Sequence, residues 1–322
     1  MLVVYRHVAV GMRRASMEVS DWLYNVQEVF YNFRMPVFFV LSGVFAAMSL
    51  NKKSGKYLLR DKVQTLLYPY ILWGIGLTML QIFFSGYTNA SRSWSDLLNV
   101  FIQPRAVDHL WYLFALFNTS LLYILLRNVH FLKNKWIHCL LALVMHFISY
   151  IPALQDYSLL TDSFNFYIYF LIGTIISPIL FNRQQSNVFL DIRYLWVIVP
   201  LFIAGQYFWF MVREQESEYI LPMLLVNLIA CYFVYIISNR LSAARAAGWL
   251  GYLGKYSLYI YILHVPVAAI IRNIFKFLNM NIPSGMVLLA CWTGGLLIPI
   301  LLFKVFKRFG FQKLFSLKVK TT

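Results

Sequence analysis

The sequence predicts an all-α protein, a polytopic transmembrane bundle of about ten helices, and three observations carry that expectation. Hydrophobic residues make up 61% of the chain and charged ones only 12%, about half the charge of a soluble domain. Apolar runs of roughly twenty residues recur from end to end, each close to the length that crosses a hydrocarbon core of ~30 Å. The loops between those runs alternate in charge, as positive-inside sorting requires. A net charge of +16 over 322 residues would suit a nucleic-acid partner in a soluble protein. Here basic cytoplasmic loops account for it, so no nucleic-acid partner is expected. The whole chain, 1–322, reads as one domain embedded in the lipid bilayer.

Taken in order, Met1–Met12 is apolar around Arg6 and His7 and stops at Arg13-Arg14. Twelve helical residues rise only ~18 Å against the ~30 Å a span needs. The first helix is therefore expected to be truncated at its N-terminus, and Met1-Leu2-Val3-Val4 has no basic flank of a signal peptide. Residues 13–31 predict a short interfacial helix with Trp22, Tyr24 and Tyr31 as belt aromatics. The next span is Asn32–Met48, NFRMPVFFVLSGVFAAM, ending at Asn51-Lys52-Lys53. Pro36 fits a first helical turn, and small Ser42 and Gly43 let a neighbouring helix approach closely. Arg34 at its rim either snorkels to the interface or serves function, and position alone leaves both open. Eight further runs follow, at 66–85, 109–127, 136–152, 164–181, 194–212, 219–238, 256–275 and 284–303.

The loop charges set an orientation. Residues 51–65 hold Lys52, Lys53, Lys56, Arg60 and Lys62 against Asp61 alone. Stretches 127–135 and 239–255 are basic, 182–193 sets Arg183 and Arg193 against Asp191, and the tail runs from Lys304 to Lys320. In between, 86–108 balances Arg92 and Arg105 with Asp96 and Asp108, 153–163 carries only acids, and 213–218 holds Glu214, Glu216 and Glu218. The basic loops and the C-terminus are thus expected in the cytoplasm. One outer loop, 272–283 with Arg272 and Lys276, breaks the pattern.

Soluble-style motifs fail on spacing. Gly248–Tyr256 has the wrong glycines for a P-loop and no Ser or Thr after its lysine. Cys139, Cys231 and Cys291 lie in apolar runs without metal spacing, so they read as packing residues and no metal site is expected. Topology then separates the histidines. His130 falls in a cytoplasmic loop, His138 near the inner interface, and His146 and His264 mid-span, where an interhelical hydrogen bond suits each. His7, His109 and Arg34 come to similar depth on the outer side. They are either three unrelated interfacial residues or a site in which histidine acts as a general base near neutral pH.

Five stretches, in order, resemble the blocks of one family. They are Leu2-Val3-Val4-Tyr5-Arg6-His7, then Phe33 to Gly43, then Arg60 followed by Leu66-Leu67-Tyr68-Pro69-Tyr70, then His109-Leu110-Trp111-Tyr112-Leu113, and finally Tyr256 to His264. Together they are similar to the integral-membrane acyltransferase type 3 family, over nearly the whole chain. The resemblance implies transfer of an acyl group, expected to be acetyl, from cytoplasmic acyl-CoA to a hydroxyl of an envelope or exported saccharide or glycolipid. It implies His7 as the catalytic histidine that deprotonates the acceptor hydroxyl; Arg34 and His109, at similar depth, join it as candidate catalytic residues, and the cations Lys52, Lys53, Lys56 and Arg60 suit the phosphates of acyl-CoA. Anionic lipid headgroups would suit the same four cations. Acyl-CoA enters as a donor substrate, acetyl-CoA being the expected form, and no tightly bound cofactor is implied. The setting implied is a bacterial plasma (inner) membrane. Arg6 stands where the family often has glycine, Arg34 where it often has histidine, and a basic residue usual eleven positions before the histidine precedes this chain's start. Two other readings stay open: a transporter or flippase of a glycan, and an inactive truncated relative.

Overall fold

A computed structural model describes residues 1–85, 92–182, 190–244, 247–278 and 282–318. Arg183 and Lys320 of the charge pattern lie outside the described residues, as does the side chain of Asp108. Among the described residues the structure is all helical, without a strand. Among the described residues seven helical stretches are long and apolar enough to cross a membrane, and Trp111–Leu126 and Lys135–Ile148 are shorter apolar helices. Each apolar run read from the sequence is therefore a helix. The helices group into two compact units, each made of separate stretches of chain.

The first unit comprises Met1–Phe30, Gln64–Phe114 and Trp249–Thr322. Its N-terminal helix, α1 (Leu2–Arg14), buries Val4, Val8 and Met12, one residue per turn of a single face, with Ala9 beside them. That stripe packs on Val287, Leu288, Cys291, Leu296 and Ile300 of the C-terminal span (Ser284–Arg308). Gly295 makes the approach possible, because a Cβ there would stand 3.1 Å from Val4 Cγ1. The expected interfacial helix is α2 (Asp21–Val29), tied to α1 where Tyr5 Oη donates to Leu23 O at 2.6 Å. The chain tail also belongs to this unit. Phe315 is fully buried against Trp73, Tyr259 and Phe303, and Trp73 Nε1 donates to Leu314 O at 2.8 Å.

The second unit comprises Tyr31–Val63 and Ala115–Gly248. Its centre is the crossing of α3 (Tyr31–Lys52) with the span Ser158–Phe181, where backbone meets backbone. A Cβ on Gly43 would fall 2.0 Å from Phe170 O, and one on Gly173 would fall 2.1 Å from Val40 O. Only glycine fits either position, which is the close approach that Ser42-Gly43 predicted. Ser177 Oγ donates across the same crossing to Val44 O at 3.0 Å. His146 makes the expected interhelical contact, its Nδ1 donating to Asn165 O at 2.9 Å. Two boundaries differ from the sequence reading. Lys135–Ile148 is only 14 residues long, stopping at Ser149 shortly before Pro152 opens a 3-10 turn. Ser158–Phe181 starts earlier than its apolar run, because Ser158, Thr161, Asp162 and Ser163 are polar yet buried.

Candidate active site

Three histidines meet within the first unit. His7 comes from α1, His109 from a 3-10 segment (Pro104–Leu110), and His264 from the span Ser257–Phe277. Ring centroids lie 5.8 Å apart for His7 and His109, 5.2 Å for His7 and His264, and 4.8 Å for His109 and His264. His109 and His264 are buried, and His7 is half-buried at the edge of the group.

A proline organises the cluster. Pro266 lacks an N–H, so it leaves the carbonyl of Ile262, four residues earlier, outside the helical ladder. His109 Nε2 donates to that Ile262 O at 3.1 Å, filling the vacancy from another segment. Tyr261 Oη in turn donates to His109 O, so both ends of the residue are held by one helix. These contacts settle two tautomers, since carbonyls only accept. His109 carries its proton on Nε2, leaving Nδ1 basic. His264 Nδ1 donates to Ile260 O at 3.0 Å and Tyr261 O at 2.8 Å, leaving Nε2 basic. His264 Nε2 is buried with no hydrogen-bond partner among the described residues. Two imidazole lone pairs thus belong to the cluster His7 shares, which suits holding or passing a proton.

A cavity of about 510 Å³ opens on this cluster, lined by His7 and His109. Val10, Gly11 and Arg14 continue the His7 face of α1 at successive helical spacings, and all three line it. Val265, Ala269 and Arg272 do the same on Ser257–Phe277, and Gln81 of Tyr68–Phe83 closes it together with Phe84 just past that helix. Gln81 is oriented by Arg92, whose Nε donates to its Oε1 at 3.1 Å and whose guanidinium faces Asp96 at 3.9 Å. The backbone N–H of Ser93 holds the Asp96 carboxyl below its ordinary range. Arg272 was assigned by the charge pattern to an outer loop; it lies inside the helix, only 7% exposed. Its Nη1 donates to Gly11 O at 2.9 Å. Its position eight residues after His264, about 80° round the helix and inside the apolar run 256–275, was the signal that could have found it.

The other sequence-predicted residues belong to the second unit. Arg34 is 9% exposed near the start of α3, with its guanidinium 5.6 Å from the Tyr31 ring. Lys52 closes α3, and Lys56 and Arg60 stand one turn apart on the short helix Gly55–Lys62. Ser54 caps that helix, accepting from Tyr57 N at 3.3 Å, and Lys53 Nζ sits 3.7 Å over the Tyr57 ring. All four cations are exposed. His264, read as an interhelical hydrogen bonder, bonds its own helix instead and joins the cluster. Among the described residues no group of three His, Cys, Asp or Glu side chains is arranged to hold a metal ion.

Comparison with known proteins finds a family model, described as an acyltransferase domain of acyltransferase type 3, that matches residues 1–304. No curated protein and no solved structure matches.

Proposed function

Because the chain belongs to the acyltransferase type 3 family and is a membrane acyltransferase, we propose that it moves an acyl group from acyl-CoA to a saccharide hydroxyl. The acyl group is acetyl and the acceptor is an envelope or exported saccharide or glycolipid. The observation that carries this reading is the contact of His7 with His109 and His264 at the wall of an open cavity.

In this reaction His7 takes the proton of the acceptor hydroxyl as its oxygen attacks the thioester carbonyl carbon. The C–O bond forms, the C–S bond breaks, and the proton passes to the CoA sulfur, which leaves as the thiol. The basic nitrogens of His109 and His264 steady the protonated ring of His7 between those two steps. The exposed group Lys52, Lys53, Lys56 and Arg60 supports a docking place for the phosphates of CoA. Arg34 supplies a further cationic group to the reaction, so Arg34→Gln should lower turnover.

The test is acceptor-dependent acyl transfer by the purified, lipid-reconstituted protein. Labelled acetyl-CoA plus saccharide should yield free CoA and an alkali-labile ester on the sugar in equal amounts. Saccharide movement across vesicles with no CoA release would instead identify a transporter.

A further inference from the structure

We propose that Gln81 donates a hydrogen bond to the carbonyl oxygen of the acyl group as negative charge develops there, and that Arg92 positions it. The inference rests on the acyltransferase reading and adds a catalytic residue to it.

Proton transfer to His7 deals with only one of the two charges that acyl transfer creates. As the acceptor oxygen attacks, the thioester carbonyl opens and its oxygen takes up an electron pair, which returns when the C–S bond breaks. A donor held in the wall of the site is what stabilises that oxygen. Gln81 lines the same cavity as His7 and His109, from the helix Tyr68–Phe83. Chemistry fixes which way its amide faces. Arginine only donates, so the bond from Arg92 Nε at 3.1 Å must end on the amide oxygen, Oε1. The group Gln81 can offer the cavity is therefore Nε2, which also only donates. Nε2 carries two N–H groups, so a further partner for one still leaves the other. The guanidinium draws electron density toward Oε1 and so strengthens those N–H groups as donors.

Arg92 is itself held in place. Its guanidinium faces Asp96 at 3.9 Å, and its Nη2 donates to Ala106 O. Asp96 accepts in turn from Ser93 N at 2.7 Å and from Asn99 Nδ2 at 3.0 Å. Ala106 lies in the 3-10 segment Pro104–Leu110, which carries His109. One arginine thus ties the Gln81 amide to the segment bearing a histidine of the cluster. A donor set in place beforehand costs no reorganisation when the charge appears. Because Gln81 is neutral, its bond gains most when the oxygen becomes charged, so it acts on kcat more than on binding.

Steady-state kinetics of the full-length, lipid-reconstituted protein test this, beside an infrared measurement that needs no turnover. Gln81→Leu should lower kcat ~10²–10³-fold, the loss for one oxyanion donor, and leave both KM values near wild type. Gln81→Glu, of nearly the same shape, should lose as much, because a carboxylate repels the oxyanion. Arg92→Leu should lower kcat by about 10–10²-fold through a misplaced amide, and Arg92→Lys should keep part of it. The infrared probe is acetonyl-dethia-CoA with a labelled ketone carbon, in which CH2 replaces the thioester sulfur so that nothing is transferred. Its bound carbonyl band should stand at lower frequency in wild type than in Gln81→Leu.

Wild-type kcat in both Gln81 variants would overturn the proposal. So would a raised KM for the saccharide with kcat kept, which would make Gln81 an acceptor-binding group. One and the same carbonyl band with and without the amide would overturn it too. If wild type transfers no acyl group, yet the ketone band is lowered and Gln81→Leu abolishes the shift, the carbonyl contact stands and the acyl-transfer reading fails.

Discussion

At the scale of single residues, the candidate site depends on a carbonyl that a proline sets free. His109→Ala should leave Ile262 O buried without its donor and lower stability by about 1–3 kcal/mol, read as a fall in Tm. Adding Pro266→Ala should restore the helical hydrogen bond and recover the Tm while leaving turnover low. Full recovery of turnover in the double variant would remove His109 from the site. His7 and His109 were legible in the sequence because their depth followed from loop parity. Arg272 was not, because the charge pattern read 272–283 as an outer loop, whereas the helix continues to Phe277 and buries Arg272. His264 was visible as a mid-span histidine. Its membership of the cluster depends on which way its helix faces, and no periodicity in an almost wholly apolar run reports that.

At the scale of elements, the backbone-to-backbone crossing of α3 with Ser158–Phe181 is the feature most sensitive to substitution. Gly43→Ala or Gly173→Ala forces the two helices apart and should cost about 3 kcal/mol or more. Gly251 and Gly254, on the short helix Gly248–Lys255, have nothing within 4 Å of an added Cβ. Alanine at either should be neutral or should stabilise by up to ~1 kcal/mol. Thermal unfolding of the four variants decides it, and equal Tm values would contradict the crossing. The small pair Ser42-Gly43 made this element readable in advance. The early start of Ser158–Phe181 was unreadable, because a hydropathy window cannot know that Ser158, Thr161, Asp162 and Ser163 will be buried by neighbours.

At the scale of the molecule, helical content and the number of apolar helices followed directly from composition and run length. The grouping into units did not. The first unit assembles Met1–Phe30 with Gln64–Phe114 and Trp249–Thr322, and nothing local to any of those stretches encodes the partnership. Orientation has its own test. Single cysteines placed in 213–218 should react with an impermeant reagent from outside, while those in 51–62 should be protected until the membrane is opened. Labelling in the reverse sense would invert the topology. The central claim is that His7, backed by His109 and His264, is the general base of acyl transfer. Its most direct test is the turnover of His7→Gln beside wild type, in protein matched for Tm and membrane insertion. A fall of ~10²–10⁴-fold in acceptor-dependent CoA release is the predicted result. Wild-type turnover in that folded variant would contradict it.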